Sequence, residues 1–334
     1  MKKLILLMFV LLTASVMLAQ ATNEDKMFRY TVENVDFENL SISGKIDVFV
    51  SQADTNSVEI RYLEPDRMEY VKVEQKNGIL SISTKEEVVH MQIFFYKKTT
   101  GKSFKNRLQV YVGIADIKQL SFGSYTNVTY LNDITVDSFT QQIGYKNQLD
   151  LNKVQGRDNI NLRLSEQAKV NLGNIISANA TFYVGYKSQL SLLDVYAETF
   201  EITSQESGKA NIGNLSSKKA KIIGKYKSQL SLSDVDSETC EISGGESVKV
   251  DLGKLTSKNV KIYGGYNSRL YVESISAETL EITLKESGKL TFGSFNVKNI
   301  KNINLGYKCE LIIKEPLTQT SDNLKSSPVE RENN

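Results

Sequence analysis

Tyrosines that recur about every 40 residues are the side chains of this sequence best suited to bind a ligand. Three of them stand in nearly identical hexapeptides, GYKSQL, KYKSQL and GYNSRL. Gln189, Gln229 and Arg269, each three positions after a tyrosine, could hydrogen-bond beside a ring stacked on a sugar or a protein. Alternatively, each ring only covers a corner of the fold and shields its backbone hydrogen bonds. The candidate binding residues are Tyr145, Tyr186, Tyr226, Tyr266 and Tyr307.

Carboxylates also recur, but their spacing does not favour catalysis. Enzymes that cleave polysaccharides need clustered carboxylates, often beside Ca²⁺ or a basic residue. Here Asp194 and Asp234 are separated by 40 residues, and the matching positions between and after them hold Asn214 and Lys254. No acidic pocket is therefore expected. A carbohydrate-active enzyme of the β-helix type, a polysaccharide lyase or hydrolase, remains the alternative to a binding protein.

Other chemistries lack their essential residues. His90 is the only histidine, which excludes histidine metal clusters and Ser-His-Asp catalysis. No phosphate-binding loop or dinucleotide fingerprint occurs, so the sequence predicts no metal, no cofactor and no catalytic residue. Cys240 and Cys309 fall more than three 20-residue repeats apart, an axial gap of roughly 15 Å at the spacing of stacked strands. That exceeds the ~7 Å limit for a disulfide, so both thiols are expected to be free.

Charged residues indicate the architecture that must position these side chains, because two series repeat every 20 residues and alternate in sign. A fixed period of this length is typical of a repeat architecture. If 20-residue coils stack as parallel strands ~4.8 Å apart, like charges would repel by roughly 1 kcal/mol even in water. Alternation turns each repulsion into a weak attraction and disfavours a slip by one coil. The first series is Glu198, Lys218, Glu238, Lys258, Glu278, Lys298. The second is Glu201, Lys221, Glu241, Lys261, Glu281, Lys301.

Apolar residues within each repeat favour strands. They arrive in pairs two positions apart, such as Leu190/Leu192 and Phe200/Ile202, which places each pair on one face of a strand. About three short strands per coil would then surround an apolar interior. No proline occurs between residues 66 and 315, so every backbone N–H there is free for a ladder. The sequence predicts an all-β fold, a right-handed parallel β-helix (a single-stranded β-solenoid) with ~20-residue coils and an irregular β N-terminal cap.

Four segments are expected along the chain. A cationic start, a short apolar run and Ala19-Gln20-Ala21 are typical of a signal peptide, and the run is too short to span a membrane. The cap includes an Asn77-Gly78 hairpin signal. The last residues are polar, which favours disorder. The segments are a signal peptide (1–21), the cap and first strands (22–106), solenoid coils continuous with it (107–313) and a disordered polar tail (314–334).

Net charge argues against nucleic acid or an anionic membrane as the partner. The chain has 41 basic and 39 acidic residues, and loss of Lys2 and Lys3 with the signal peptide leaves 39 of each. A balance near zero disfavours binding to nucleic acid or to an anionic membrane. The signal peptide predicts export, to the periplasm, the cell surface or the medium.

Two stretches resemble a known family. Residues 37–84 (FENLSISGKIDVFVSQ and onward) and 107–130 (RLQVYVGIADIKQLSFGSYTNVTY) are similar to the opening of the putative auto-transporter adhesin family defined by the head GIN domain. The resemblance implies an exported right-handed β-helix of the bacterial envelope, and it carries over no catalytic residues. The Ser-Gly-Ala-Ser turns typical of that family are replaced here by GYKSQ and ESGK variants.

Together these patterns favour an exported, non-enzymatic β-solenoid that presents a regular surface for adhesion or for binding in the envelope. Its expected partner is a glycan or a surface protein. Besides an enzyme, the sequence leaves open a purely structural periplasmic protein without a ligand.

Overall fold

The computed structural model describes residues 28–32, 37–62, 65–84, 108–115 and 117–316. The predicted signal peptide, His90 and the tail beyond Pro316 lie outside these residues. All described strands join one 19-stranded sheet. The architecture is therefore all-β, as predicted.

The strands divide into an irregular N-terminal group and a regular series. The first group is β1 (Phe28–Thr31), β2 (Asn39–Ser43), β3 (Ile46–Gln52), β4 (Ser57–Tyr62), a 3₁₀ turn (Pro65–Tyr70), β5 (Val71–Lys76), β6 (Ile79–Thr84), β7 (Leu108–Ile114), β8 (Gln119–Phe122) and β9 (Asn127–Tyr130). The second is β10 (Ile134–Ile143), β11 (Gln148–Leu164), β12 (Lys169–Val184), β13 (Gln189–Ser204), β14 (Lys209–Gly224), β15 (Gln229–Gly244), β16 (Lys249–Gly264), β17 (Arg269–Leu284), β18 (Lys289–Leu305) and β19 (Glu310–Pro316).

Each regular coil is one bent strand of 16 residues followed by a four-residue turn, as in β13 and β14. Successive coils pair in parallel at an offset of 20 residues, so that Phe200 faces Ala220 and Ile202 faces Ile222. The pairing skips one residue after Leu192 and another after Ala197. These two corners divide every coil into three ladder segments. The predicted parallel β-solenoid with three short strands per coil is confirmed.

The interior is a set of stacked apolar columns. Leu190, Leu192, Val195, Phe200 and Ile202 are all buried, and the same positions are buried in the neighbouring coils. Side chains alternate between the two faces of a strand, which explains why the inward positions come in pairs.

The first corner of the coil has a two-coil period. Glycines occupy it in every second coil, whereas Leu193, Ser233 and Glu273 occupy it in the others. A Cβ on Gly213 would lie on the carbonyl oxygen of Leu193, and a Cβ on Gly253 would lie on that of Ser233. A side chain therefore fits at this corner only in alternate coils. The glycines concerned are Gly173, Gly213, Gly253 and Gly293.

Two irregularities account for spacings of 21 residues. In β11 the pairing shifts between Gln155 and Asn159. Between β17 and β18 the shift falls after Leu280, so that Asn302 rather than Lys301 faces Glu281. The prediction that Lys301 stacks over Glu281 is therefore wrong, because the extra residue of the last full coil is inserted at that point.

The N-terminal strands stack out of chain order. Strand β2 pairs in parallel with both β6 and β8, and β3 pairs in parallel with both β7 and β9. The coil formed by β2 and β3 is thus inserted between two coils that follow it in sequence. Below them β4 and β5 run antiparallel to β7 and β6, and β1 runs antiparallel to β4. Antiparallel strands close this end of the ladder, and the Asn77-Gly78 hairpin joins β5 to β6.

At the C-terminal end, β19 covers only the first part of β18. It continues to Pro316, so the strand extends beyond residue 313 into the segment predicted to be a disordered tail. Both cysteines are free, as predicted: Cys240 is buried in the interior and Cys309 is partly exposed. Burial raises the pKa of the Cys240 thiol to about 12.

Candidate functional site

The four-residue turns form one continuous edge of the solenoid. In the turn of residues 185–188 the Ser188 N–H donates to the carbonyl of Gly185 at 3.1 Å, and Lys187 has a left-handed backbone (φ 51°). Left-handed backbone costs an ordinary residue roughly 1–2 kcal/mol. Hydrogen bonds between coils offset this cost, since the Lys187 N–H donates to the carbonyl of Glu206 at 3.2 Å. The turns are therefore held in a column and point their second residue outward.

The predicted tyrosines all lie in this column. Tyr186, Tyr226 and Tyr266 are 37%, 45% and 49% exposed, and Tyr307 is 68% exposed. Because successive coils are one strand spacing apart, tyrosines on alternate coils are separated by ~9.6 Å along the axis. The arrangement predicted from the 40-residue spacing is thus present.

Sequence reasoning missed Tyr125. It is 37% exposed and packs edge-on against Tyr145, with ring centroids 5.5 Å apart. Its position 20 residues before Tyr145 was the signal that could have found it. We call the row of six the tyrosine edge: Tyr125, Tyr145, Tyr186, Tyr226, Tyr266 and Tyr307.

Lysines accompany four of these rings. The Nζ of Lys187 lies 4.8 Å from the ring centroid of Tyr186, and Lys227 lies at the same distance from Tyr226. Lys146 and Lys308 stand over Tyr145 and Tyr307 in the same manner. Hydrogen bonding to the adjacent tyrosine raises the pKa of Lys146, Lys187 and Lys227 above its ordinary value. Each of these tyrosines thus carries a fixed cation beside it.

Glutamates occupy the turns between the tyrosine turns. All four are exposed, and none forms an ion pair within the part of the chain that the structure describes. Their carboxylates are therefore free to accept hydrogen bonds from a ligand. They are Glu166, Glu206, Glu246 and Glu286.

The alternating charge series form two ladders on other faces of the coils. The first ladder runs along the second corner, where Lys218 donates to Glu198 at 2.6 Å. This contact holds the pKa of Glu198 below its ordinary value. Exposed pairs of this kind contribute about 0–1 kcal/mol each. The other close pairs are Glu238–Lys258 at 3.6 Å, Glu278–Lys298 at 3.9 Å, Glu201–Lys221 at 3.8 Å and Lys261–Glu281 at 3.2 Å.

A groove with a volume of about 790 Å³ follows the first ladder. Its floor consists of small residues such as Ser217 and Ser237, and its rim alternates glutamate with lysine. Charge is therefore neutralised along the groove rather than concentrated. Across the described ranges, no group of three or more histidine, cysteine or acidic residues is placed to hold a metal ion. Within the same ranges no helix has the length and apolar character needed to cross a membrane.

Comparison with protein families decides where this solenoid belongs. The model of the family described as putative auto-transporter adhesin, head GIN domain, matches residues 36–251. The chain belongs to this family. The match begins before β2, spans the out-of-order coils of this GIN-domain protein and ends in β16. It includes the tyrosine edge from Tyr125 to Tyr226. Membership in an auto-transporter adhesin family indicates export.

Solved structures similar to this GIN-domain protein share little sequence with it. A putative adhesin from Parabacteroides distasonis ATCC 8503 is 12% identical, with 86% of this chain and 97% of that chain covered and a TM-score of 0.45. A putative adhesin from Parabacteroides merdae ATCC 43184 is 14% identical, with coverage of 86% and 96% and a TM-score of 0.38. A putative lipid binding protein from Parabacteroides distasonis ATCC 8503 is 11% identical, with coverage of 86% and 96% and a TM-score of 0.38. Among curated proteins, none matches the sequence significantly.

Proposed function

We propose that this GIN-domain protein is an exported, non-enzymatic binding protein of the bacterial envelope, and that the tyrosine edge is its ligand-binding surface. The exposed tyrosines, placed in register along one edge, are the single observation that carries this proposal. Aromatic side chains with an apolar body and a polar tip are well suited to recognition. Packing accounts for the apolar side chains of the interior, whereas the exposed rings of Tyr226, Tyr266 and Tyr307 are accessible to a ligand.

The spacing of the tyrosine edge favours a glycan as the ligand. Tyrosines on alternate coils are ~9.6 Å apart, close to the length of a disaccharide. A linear glycan lying along the axis could therefore present equivalent sugars to Tyr186, Tyr226 and Tyr266. Gln189 and Gln229, exposed beside the first two rings, can donate to and accept from sugar hydroxyls.

A binding role also agrees with the distribution of acidic residues. Cleavage of a glycosidic bond needs two carboxylates about 5–10 Å apart on either side of the bond. Along the groove of the first ladder, Glu238 and Glu278 each lie between two lysines, as Glu238 lies between Lys218 and Lys258. Such interleaving supports charge neutralisation rather than acid–base chemistry.

The decisive experiment replaces Tyr186, Tyr226 and Tyr266 together with serine in the full chain. We expect binding to a glycan array and to whole cells to be lost while thermal unfolding stays close to that of the wild type, because all three rings are exposed. A control replaces Tyr30 and Tyr196, two exposed tyrosines that lie off the edge, in the same way. Unaltered array and cell binding by the edge variant would refute the proposal.

Location separates this proposal from a purely structural role in the periplasm. We expect a membrane-impermeant lysine reagent to label the protein on intact cells, since the lysines of the turn edge are exposed. Labelling only after the outer layer of the cell is opened would contradict an adhesive role.

A further inference from the structure

The turn edge carries at least one cation in each of nine consecutive coils. In most tyrosine coils the cation directly follows the tyrosine, as Lys187 follows Tyr186. In the glutamate coils the cation is the first residue of the next strand, as Lys209 is in β14. All nine side chains are exposed. We call them the cation row: Lys146, Lys169, Lys187, Lys209, Lys227, Lys249, Arg269, Lys289 and Lys308.

The cation row contrasts with the two charge ladders, because its sign never alternates. From β16 to β18 the cations even occupy one column, since Lys249 pairs in register with Arg269 and Arg269 with Lys289. Like charges one strand spacing apart (~4.8 Å) repel. The exposed glutamates of the intervening turns, such as Glu246 near Lys227, lie on the same edge and offset part of this repulsion. From β16 to β18, the column of Lys249, Arg269 and Lys289 itself contains no acid.

Countercharges within the protein offset only part of this charge. Lys249 pairs with Asp251 at 2.7 Å and Lys289 pairs with Glu310 at 2.7 Å. Among the residues that the structure describes, Lys209 and Arg269 have no ion-pair partner. The uncompensated cations therefore remain available to an external anion.

The row ends in a small polar depression of about 360 Å³. Arg269, Lys289 and Lys308 line it together with the single acid Glu310. Asn267, Ser287 and Gly288 complete its lining. Arginine can hold a carboxylate or sulfate with two parallel hydrogen bonds, which a lysine cannot.

We propose that the cation row binds a linear acidic glycan, one that carries carboxylate or sulfate groups along its length. This inference rests on the proposed function and names the ligand class of the same edge. A cation in every coil recurs each ~4.8 Å, and a disaccharide spans close to two coils. Each acidic group of such a glycan meets one cation, while the tyrosines between them contact the sugar rings.

Nucleic acid is the other polyanion that a cation row could attract, but the edge fits it less well. Exposed glutamates alternate with the tyrosines, for example Glu206 between Tyr186 and Tyr226. A carboxylate accepts hydrogen bonds from sugar hydroxyls, whereas it repels a continuous line of phosphates.

The test replaces Lys169, Lys209 and Lys249 with glutamine in the full chain. Glutamine occupies the same column in the intervening coils as Gln148, Gln189 and Gln229, so the fold accepts it there. The control replaces Lys218, Lys258 and Lys298 of the first ladder with glutamine, which changes the net charge equally. Binding of the wild type and both variants is measured by calorimetry at low and high salt. The probes are polygalacturonate as a carboxylate polymer, heparin as a sulfated one, neutral dextran and duplex DNA.

We expect the wild type to bind polygalacturonate or heparin more tightly than dextran, and the cation-row variant to lose about tenfold or more in affinity while the control does not. Binding should weaken with salt, because salt screens exposed charges. Comparing the affinity for polygalacturonate with that for heparin shows whether carboxylate or sulfate groups are preferred. Equal losses in both variants, absence of binding to either acidic polymer, or tighter binding to DNA would overturn the inference. If the tyrosine variant loses cell binding but the cation-row variant does not, the proposed function stands and the acidic ligand is refuted.

Discussion

The regular coils and the N-terminal strands use the same parallel pairing but connect it along the chain in different ways. In the coils each strand pairs with the next one, as Phe200 faces Ala220. In the N-terminal region Leu40 faces both Leu80 and Leu120, residues 40 and 80 positions away. Contacts of long sequence separation close larger loops and cost more chain entropy before they form. The coils can therefore form one upon another, whereas the N-terminal end forms only when distant segments meet.

The sharpest test of this difference compares one isoleucine in each region. Ile42 in β2 and Ile242 in β15 are both buried, and replacing either with alanine should cost about 2–5 kcal/mol of unfolding free energy. Hydrogen exchange should separate them. In Ile42→Ala, protection should fall in β2, β6 and β8 together, whereas in Ile242→Ala it should fall only in β14, β15 and β16, because each coil contacts only its neighbours. A loss confined to β2 would contradict the interdependence of these distant segments.

A smaller effect is expected at the first corner of the coils. Gly253→Ala places a methyl group on the carbonyl oxygen of Ser233 and should cost about 1–3 kcal/mol, because the strand must shift. Gly244→Ala is the matched control, since its methyl group would lie at least 3.5 Å from any atom and in ordinary contact. Chemical denaturation of both variants measures the difference. Equal unfolding free energies of the two variants would mean that a side chain is tolerated at the first corner of every coil.

The charge ladders should give the smallest effect. Glu241→Lys places three lysines in succession, with Lys221 below and Lys261 above. We expect thermal unfolding at low salt to show a loss of about 0.2–1 kcal/mol that disappears at high salt. Glu273→Lys is the control, because it makes the same charge change between Gly253 and Gly293. Unchanged unfolding of Glu241→Lys at low salt would refute a role of the ladders in register.

Most of the regular coils could be predicted from the sequence because the period fixes the pairing. Once 20 residues make a coil, the inward position of Phe200 and the outward position of Tyr186 follow together. The prediction that Lys301 stacks over Glu281 was wrong for a simple reason. An extra residue was visible in the spacing between Tyr266 and Tyr307, but the period alone does not say where within the coil it is inserted.

The order of the N-terminal coils could not be predicted in this way. Leu40/Ile42, Leu80/Ile82 and Leu120/Phe122 are equivalent apolar pairs with the same two-residue spacing. Any of them could stack on any other at similar apolar burial. The observed order is selected by the connections between these strands and by the antiparallel strands β1, β4 and β5. Neither produces a repeat in the sequence. Tyr125 was missed for a different reason: it lies one coil before Tyr145, whereas the other tyrosines of the edge are two coils apart.

Because glycines occupy the first corner in every second coil, coils can be removed or added only in pairs. Loss of residues 205–224 would put Ser233 directly above Leu193, so that two neighbouring coils would both carry a side chain at the first corner. Loss of residues 205–244 would instead put Gly253 above Leu193 and restore a compatible neighbour. Such a molecule can be shortened or extended only by even numbers of coils, so its reach changes in discrete steps of ~9.6 Å.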